Sequence, residues 1–237
     1  MELSETLQSN ASYRSFTDQP VSDEELRGIL DLARFAPSGG NRQPWEVIIV
    51  KDPNRRNSLE HLYQLAWREY MAHVELGLVP FAPTDHGRWS GPAIDLEEAR
   101  RRPAPSSFAD NLATVPALLV VCVRLDQLAV LDNGLERQSI VGGGSIYPFC
   151  HNIMLAARSR GLGGVMTTVI CRQESAVREL LAIPNGVAVA ALLALGYPDK
   201  VVTRLKRHDP STFTHLDTFT QRPPWEEVNS AAPSALK

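Results

Sequence analysis

Cys150 and His151 stand side by side in "SIYPFCHNIML", the pairing of thiol and imidazole that nucleophilic catalysis uses. On a helix, however, adjacent residues diverge by about 100°, so this pair does not face itself. The carboxylates of "DLEEARR" read as a solvated face rather than an acid–base couple. "VGGGSIY" and "GLGGVM" are rich in glycine but lack the GxGxxG spacing a dinucleotide fold requires. No GxSxG, HExxH or Walker lysine is present, and no metal-ligand spacing. What remains is dispersed. Ser12 and Arg14 precede the first clear helix; Pro37, Ser38, Gly39, Gly40 and Asn41 lie in "RFAPSGGNRQPW"; Thr167 and Thr168 follow "GLGG"; Arg204, Lys206 and Arg207 cluster near the end. Each also has an ordinary reading: a threonine pair belongs in sheets, and an arginine cluster is a common solvated face.

The elements that must position these residues follow from spacing. "SDEELRGILDLARFA" is a helix: Ser22 and Glu25 have capping-box spacing, and Leu26, Ile29, Leu30 and Ala33 form one apolar stripe. Pro37 ends it. Residues 34–45 then either admit something close to their backbone or form an ordinary loop. Strand "EVIIVK" follows, closed by Asp52-Pro53, and a long helix spans about 57–78. "ALLVVCV" and "VAVAALLALG" read as fully buried strands, "VMTTVI" as a short one, and "QESAVRELLAI" as a helix. Between Ser145 and Arg160, Ile146, Phe149, Cys150, Ile153, Met154, Ala156 and Ala157 share one face. Residues 80–110 break the pattern, apart from a short helix at "DLEEARR". So long an irregular insert is either a lid or binding loop, or a solvated excursion. Interleaved helices and apolar strands indicate a three-layer α/β or α+β sheet domain.

Composition sets the outer bounds. The 237 residues are 43% hydrophobic and 22% charged, with net charge −3. That supports a sizeable core and recommends neither nucleic acid nor an anionic membrane as partner. "MELSETLQSNASYRSF" lacks signal-peptide design, and no apolar run approaches the roughly 20 residues that span a bilayer. Cys122, Cys150 and Cys171 sit in apolar contexts and read as reduced thiols, so a cytoplasmic location is expected.

Taken together, "SYRSFTDQPVSDEELRGILDLARFAPSGGNRQPW", "SIYPFCHNIMLAARSRGLGGVMTT" and "LALGYP" resemble the nitroreductase family of FMN-dependent oxidoreductases, in the right order over about residues 10–207. The resemblance is to a branch with a longer central insert. It implies one domain over 1–237, a three-layer α/β/α sandwich with a mixed, mainly antiparallel sheet, and an intertwined homodimer. Residues 80–110 would be its insert and 198–237 an extended C-terminal segment. It implies bound FMN, reduction by NAD(P)H, and a small planar acceptor such as a nitroaromatic, quinone or conjugated carbonyl. By the same resemblance, Pro37, Ser38, Gly39 and Asn41 line the flavin, Ser12 approaches its phosphate, and Arg14 faces its N1 edge. Thr167 and Thr168 lie near N5 and O4, Ser145 contacts the flavin edge, and Arg204, Lys206 and Arg207 supply cations for the phosphate. One departure stands out. Many members carry basic residues just before the serine, where this chain has Asn10 and Ala11. A reductive dehalogenase, a flavin-modifying enzyme or a flavin-storage protein would share the fold.

Overall fold

The computed structural model describes residues 1–82 and 87–225. Its strands are β1 (Trp45–Ile49), β2 (Ala117–Arg124), β3 (Gly163–Thr167) and β4 (Val187–Gly196), ordered β1-β2-β4-β3 in one sheet. Its α-helices are α1 (Leu3–Ser9), α2 (Asp23–Ala33), α3 (Pro53–Glu75), α4 (Leu96–Arg101), α5 (Tyr147–Ser159) and α6 (Glu174–Leu180). All neighbouring strands run antiparallel. Among the described residues, the parallel component of the expected mixed sheet is a single bridge from Ser12 to Gly164.

The continuous apolar runs decide the layering. Along β2, Leu119 and Val121 enter the core beneath α2 and α5, while Leu118, Val120 and Cys122 enter the core beneath α3 and α6. A strand buried on both faces needs helices on both sides, which gives the three layers. The expected stripes are the ones buried: Leu26, Ile29 and Ala33 on α2, and Phe149, Cys150, Ile153, Met154, Ala156 and Ala157 on α5. Ser22 and Glu25 close the capping box that starts α2.

Several elements differ from the sequence reading. Helix α3 begins at Pro53, because the Asp52 carboxylate caps the Arg55 amide at 2.9 Å and proline suits a first helical position. Strand β3 runs Gly163–Thr167, rather than 165–170, and the chain then tightens into a 3-10 turn over Val169–Gln173. Helix α1 was hidden in a short polar stretch; its register is fixed from outside, by the Leu205 amide donating to the Gln8 carbonyl at 2.7 Å. The insert does form the expected short helix, α4, capped by Asp95. Residues 83–86 of the insert and 226–237 of the C-terminal segment lie outside the described residues.

The glycines of "GLGG" serve packing. A Cβ on Gly164 would stand 2.5 Å from Leu195 Cδ2 and 2.7 Å from the Ala194 carbonyl oxygen, and one on Gly163 would strike the Tyr13 ring. Gly164→Ala is therefore expected to destabilise by about 1–3 kcal/mol through overpacking. Thermal unfolding checks this, at roughly 2–4 °C per kcal/mol for a chain of this size.

Candidate functional site

The loop before β1 is built by left-handed backbone. Gly40, Asn41 and Gln43 have φ of 61°, 52° and 52°, a region open to glycine and tolerated by asparagine. The Ser38 hydroxyl accepts from the Gln43 amide at 2.9 Å, closing the turn on itself. The Gly39 amide donates to Ser145 Oγ at 3.0 Å, so two of the expected contact groups are joined. A Cβ on Gly39 would sit 3.0 Å from the Ala129 Cβ. Close approach at Gly39 is thus used in part by the chain's own 129–145 segment. Trp45, at the loop's end, stacks on Phe149 of α5 with ring centroids 4.6 Å apart, fixing the loop to the core.

That 129–145 segment is held by one side chain. Buried Asp132 accepts from the amides of Ile140 (2.8 Å) and Val141 (3.2 Å), the Ser139 hydroxyl (2.8 Å) and Arg137 Nη1 (2.7 Å). These donors, the Ile140 amide foremost, hold its carboxyl far below the usual carboxylate range. The 3-10 turn Val141–Ser145 follows directly, so Asp132 sets where Ser145 meets Gly39.

A second group forms at the other edge of the sheet. Ser12 bridges to β3, and Arg14 lines a cleft of about 310 Å³ with Phe16, Ser107, Phe108, Asn111 and Thr114. Tyr63 of α3 shares a hydrogen bond of 3.2 Å with Thr167 Oγ1 and meets Phe108 edge-on. Burial raises the Tyr63 pKa, while the Thr167 hydrogen bond and the positive charge of Arg14 act against it. The basic segment comes alongside. The Tyr13 hydroxyl accepts from the Val202 amide at 3.1 Å, and the Leu205 amide donates to the Gln8 carbonyl, so the segment carrying Arg204, Lys206 and Arg207 is tied to the N-terminal stretch. All three cations are exposed, as are Ser12, Arg14 and Thr168.

These two groups do not meet within one chain. The Pro37–Asn41 loop precedes β1 on the α5 side; Arg14, Thr167 and Thr168 lie about β3 on the α3 side, with β2 and β4 between. Three strand spacings put the two edges roughly 14 Å apart.

Sequence reasoning missed Tyr63, Asn111 and Glu69. The signal for Tyr63 and Glu69 was available on α3, where Leu59, Tyr63, Ala66, Glu69 and His73 follow one buried stripe and a carboxylate interrupts it. Glu69 is fully buried. It pairs with Arg100 of the insert at 2.6 Å and with Arg172 at 3.0 Å. The Cys150 thiol, buried in the core, is pushed up to about 12, the reverse of what a nucleophile requires.

The nitroreductase family model matches residues 7–197. The chain is 26% identical over 227 residues to 4-nitrobenzoate reductase of Pseudomonas putida, covering 89% of this chain and 93% of that one. It is 26% identical over 203 residues to iodotyrosine deiodinase 1 of Rattus norvegicus, covering 85% of this chain and 64% of the deiodinase. Among solved structures, an NADPH:FMN oxidoreductase from Vibrio harveyi complexed with NAD+ superposes with a TM-score of 0.63 at 21% identity, covering 92% of this chain and 78% of that one. The layered fold and the matched span are those of an oxidoreductase. The chain belongs to the nitroreductase family. Among the described residues, no helix is long and apolar enough to cross a membrane.

Replacing Asp132 tests the organisation of the 129–145 segment. A group with a depressed folded pKa contributes stability above its unfolded pKa, about 3.9 for aspartate, and loses it as pH falls toward the folded value. Asp132→Asn is expected to melt below the parent at neutral pH, with the gap narrowing below about pH 4. Amide exchange at Ile140, Val141 and Gly39 should speed up in the variant. Melting curves that coincide at pH 7 would refute the assignment.

Proposed function

We propose that this chain is a single-domain, FMN-dependent NAD(P)H oxidoreductase that passes electrons by a ping-pong mechanism to a small planar acceptor such as a nitroaromatic, quinone or conjugated carbonyl. The observation that carries this reading is that Ser12 bridges to β3 at the edge where Tyr63 bonds Thr167, with Arg14 lining an open cleft beside Phe108. The residues fit FMN. A phosphate calls for cations and hydroxyls, which Arg204, Lys206, Arg207 and Ser12 offer together. The cleft adds a guanidinium from Arg14 and an amide from Asn111 beside the apolar ring of Phe108. Bound there, FMN supplies the hydride and electron transfer, which accounts for a site without an acid–base dyad.

The chain's own part is to bind, orient and tune. Arg14 offers positive charge where negative charge gathers on the reduced ring, in the manner of an oxyanion hole. Thr168, exposed at the end of β3, presents hydroxyl and backbone toward the ring's N5 edge. Pro37, Ser38, Gly39, Asn41 and Ser145 form a separate, rigid half-site on the opposite sheet edge. The two halves complete one site when a second copy brings its β1-edge loop to the β3 edge of the first. A homodimer with two shared sites follows, and the exposed Phe35 and Ile140, which neighbour this loop and the 141–145 turn in sequence, offer apolar surface for such a partner. A cytoplasmic setting, with no nucleic-acid or membrane partner, fits the charge balance.

Heat-released cofactor separated by chromatography should be FMN; FAD in the supernatant would sink the claim. NADH or NADPH should bleach the bound flavin in stopped flow, whereas a storage protein would stay yellow. Sedimentation should give a dimer, and a fully active flavin-loaded monomer would refute the shared site.

Arg14→Met should lower the flavin reduction potential by about 30–60 mV. That follows from a charge-assisted contact of about 1.5–3 kcal/mol and a two-electron couple in which 30 mV is about 1.4 kcal/mol. An unchanged potential in a variant that still holds FMN would remove Arg14 from the role. Asn10→Arg should tighten FMN binding roughly tenfold or more, by the same contact energy. Fluorescence titration of apoprotein reads this directly.

A further inference from the structure

The insert is not a solvated excursion. Its later part walls the Arg14 cleft through Ser107 and Phe108, and Phe108 packs edge-on against Tyr63. Its middle part, α4, is held on α3: Arg100 Nε donates to Glu69 Oε1 at 2.6 Å, and Arg68 Nη1 donates to the Arg100 carbonyl at 3.0 Å. Its early part leans on the same centre, because the Arg172 guanidinium lies 5.0 Å from the Phe81 ring centroid and 5.9 Å from that of Trp89. Arg172 in turn donates to Glu69 Oε2 at 3.0 Å. It sits on the 3-10 turn Val169–Gln173, immediately after Thr168. One carboxylate with no solvent exposure therefore ties three stretches together: α3, the insert, and the turn that continues the proposed flavin edge.

An ion triad about a buried carboxylate is a poor way to gain stability, since desolvation of the carboxylate offsets much of the attraction. It is an effective way to specify position, because each Glu69 oxygen accepts one guanidinium and another seating leaves the buried carboxylate short of a partner, even though Arg100 keeps its bond to Glu97 on its own helix. We propose that Glu69 is a positioning residue that seats the insert as a fixed wall of the Arg14 cleft, and thereby sets the size of acceptor the cleft admits. Arg100 carries the wall side of this latch and Arg172 the flavin-edge side. The acceptor part of the proposal rests on the function proposed above; the seating of the insert does not.

The test compares Glu69→Gln, Arg100→Met and Arg172→Met with Arg102→Ala in the flavin-loaded protein. Arg102 belongs to an exposed pair with Glu98 on the same helix, and such pairs hold little. Chymotryptic cleavage at Phe81 and Trp89 reports seating without reference to chemistry. Cleavage should accelerate about tenfold or more in the three latch variants and stay at the parent rate in Arg102→Ala, since removing one partner of a buried pair strongly favours local opening. Should a latch variant not fold, the other two still decide the matter. Parent-like cleavage in Arg100→Met and Arg172→Met would overturn the latch.

The second readout is the ratio of kcat/KM for a bulky anthraquinone sulfonate to that for benzoquinone. It should rise about threefold or more in the latch variants, a shift of well under one decade in differential binding, while FMN retention and the rate of flavin reduction by NAD(P)H stay at parent values. Faster cleavage with an unmoved ratio would overturn the specificity role and leave the function proposed above standing. A preparation that takes up no FMN would overturn that function instead, and cleavage would still decide the seating.

Discussion

Strands β2 and β4 are apolar on both faces, and this single constraint arranges everything else. Leu118 to Cys122 and Ala190 to Leu195 leave no room for a polar side chain at the centre of the sheet. Polar groups that do chemistry must therefore sit at the edges, on β1 or β3, or on the segments that lead into them. An antiparallel order of β1-β2-β4-β3 then separates the two edges by the whole width of the sheet. A ligand large enough to need both sets of groups cannot be served by one copy of the chain.

The same pattern explains what was legible from sequence. Helices α2 and α5 and the central strands follow from periodicity, because burial on a fixed face leaves a fixed spacing. The capping box at Ser22 and Glu25 is local chemistry and reads directly. Helix α1 was not legible, since its order comes from Leu205 and Tyr13, far along the chain or outside the helix. The limits of β3 were obscured by glycines whose absence of a side chain answers to Tyr13 and Leu195 rather than to any local preference.

For the site, residue types carried more than geometry. The resemblance brought out Ser12, Arg14, Ser145 and the basic cluster, and the fold joins Ser145 to Gly39 and Ser12 to β3. Sequence alone could not say that Gly39 is crowded by Ala129, or that the hydroxyl of Ser145 already accepts from Gly39. Both are contacts between segments about a hundred residues apart. Glu69 was the opposite case. A carboxylate on an otherwise apolar helical stripe is a local anomaly, and it marks the place where a buried charge must find partners from elsewhere. Those partners lie in the insert and beyond Thr168, the two places where periodicity fails.

Asp132 and Glu69 thus perform parallel tasks in two irregular parts of the chain. Each is a buried carboxylate whose oxygens are shared among donors from distant or irregular backbone, one fixing the 129–145 segment and the other the insert. Irregular segments lack the ladder of hydrogen bonds that fixes a helix or strand, so their position must come from side chains. A carboxylate suits the work because it accepts several bonds at once and becomes costly to bury whenever one is lost. Where binding a flat ring depends on rigid backbone more than on reactive side chains, such groups matter as much as those that touch the ligand. The chemistry can then reside in a cofactor, while the protein's acidic residues are spent on holding its loops in place.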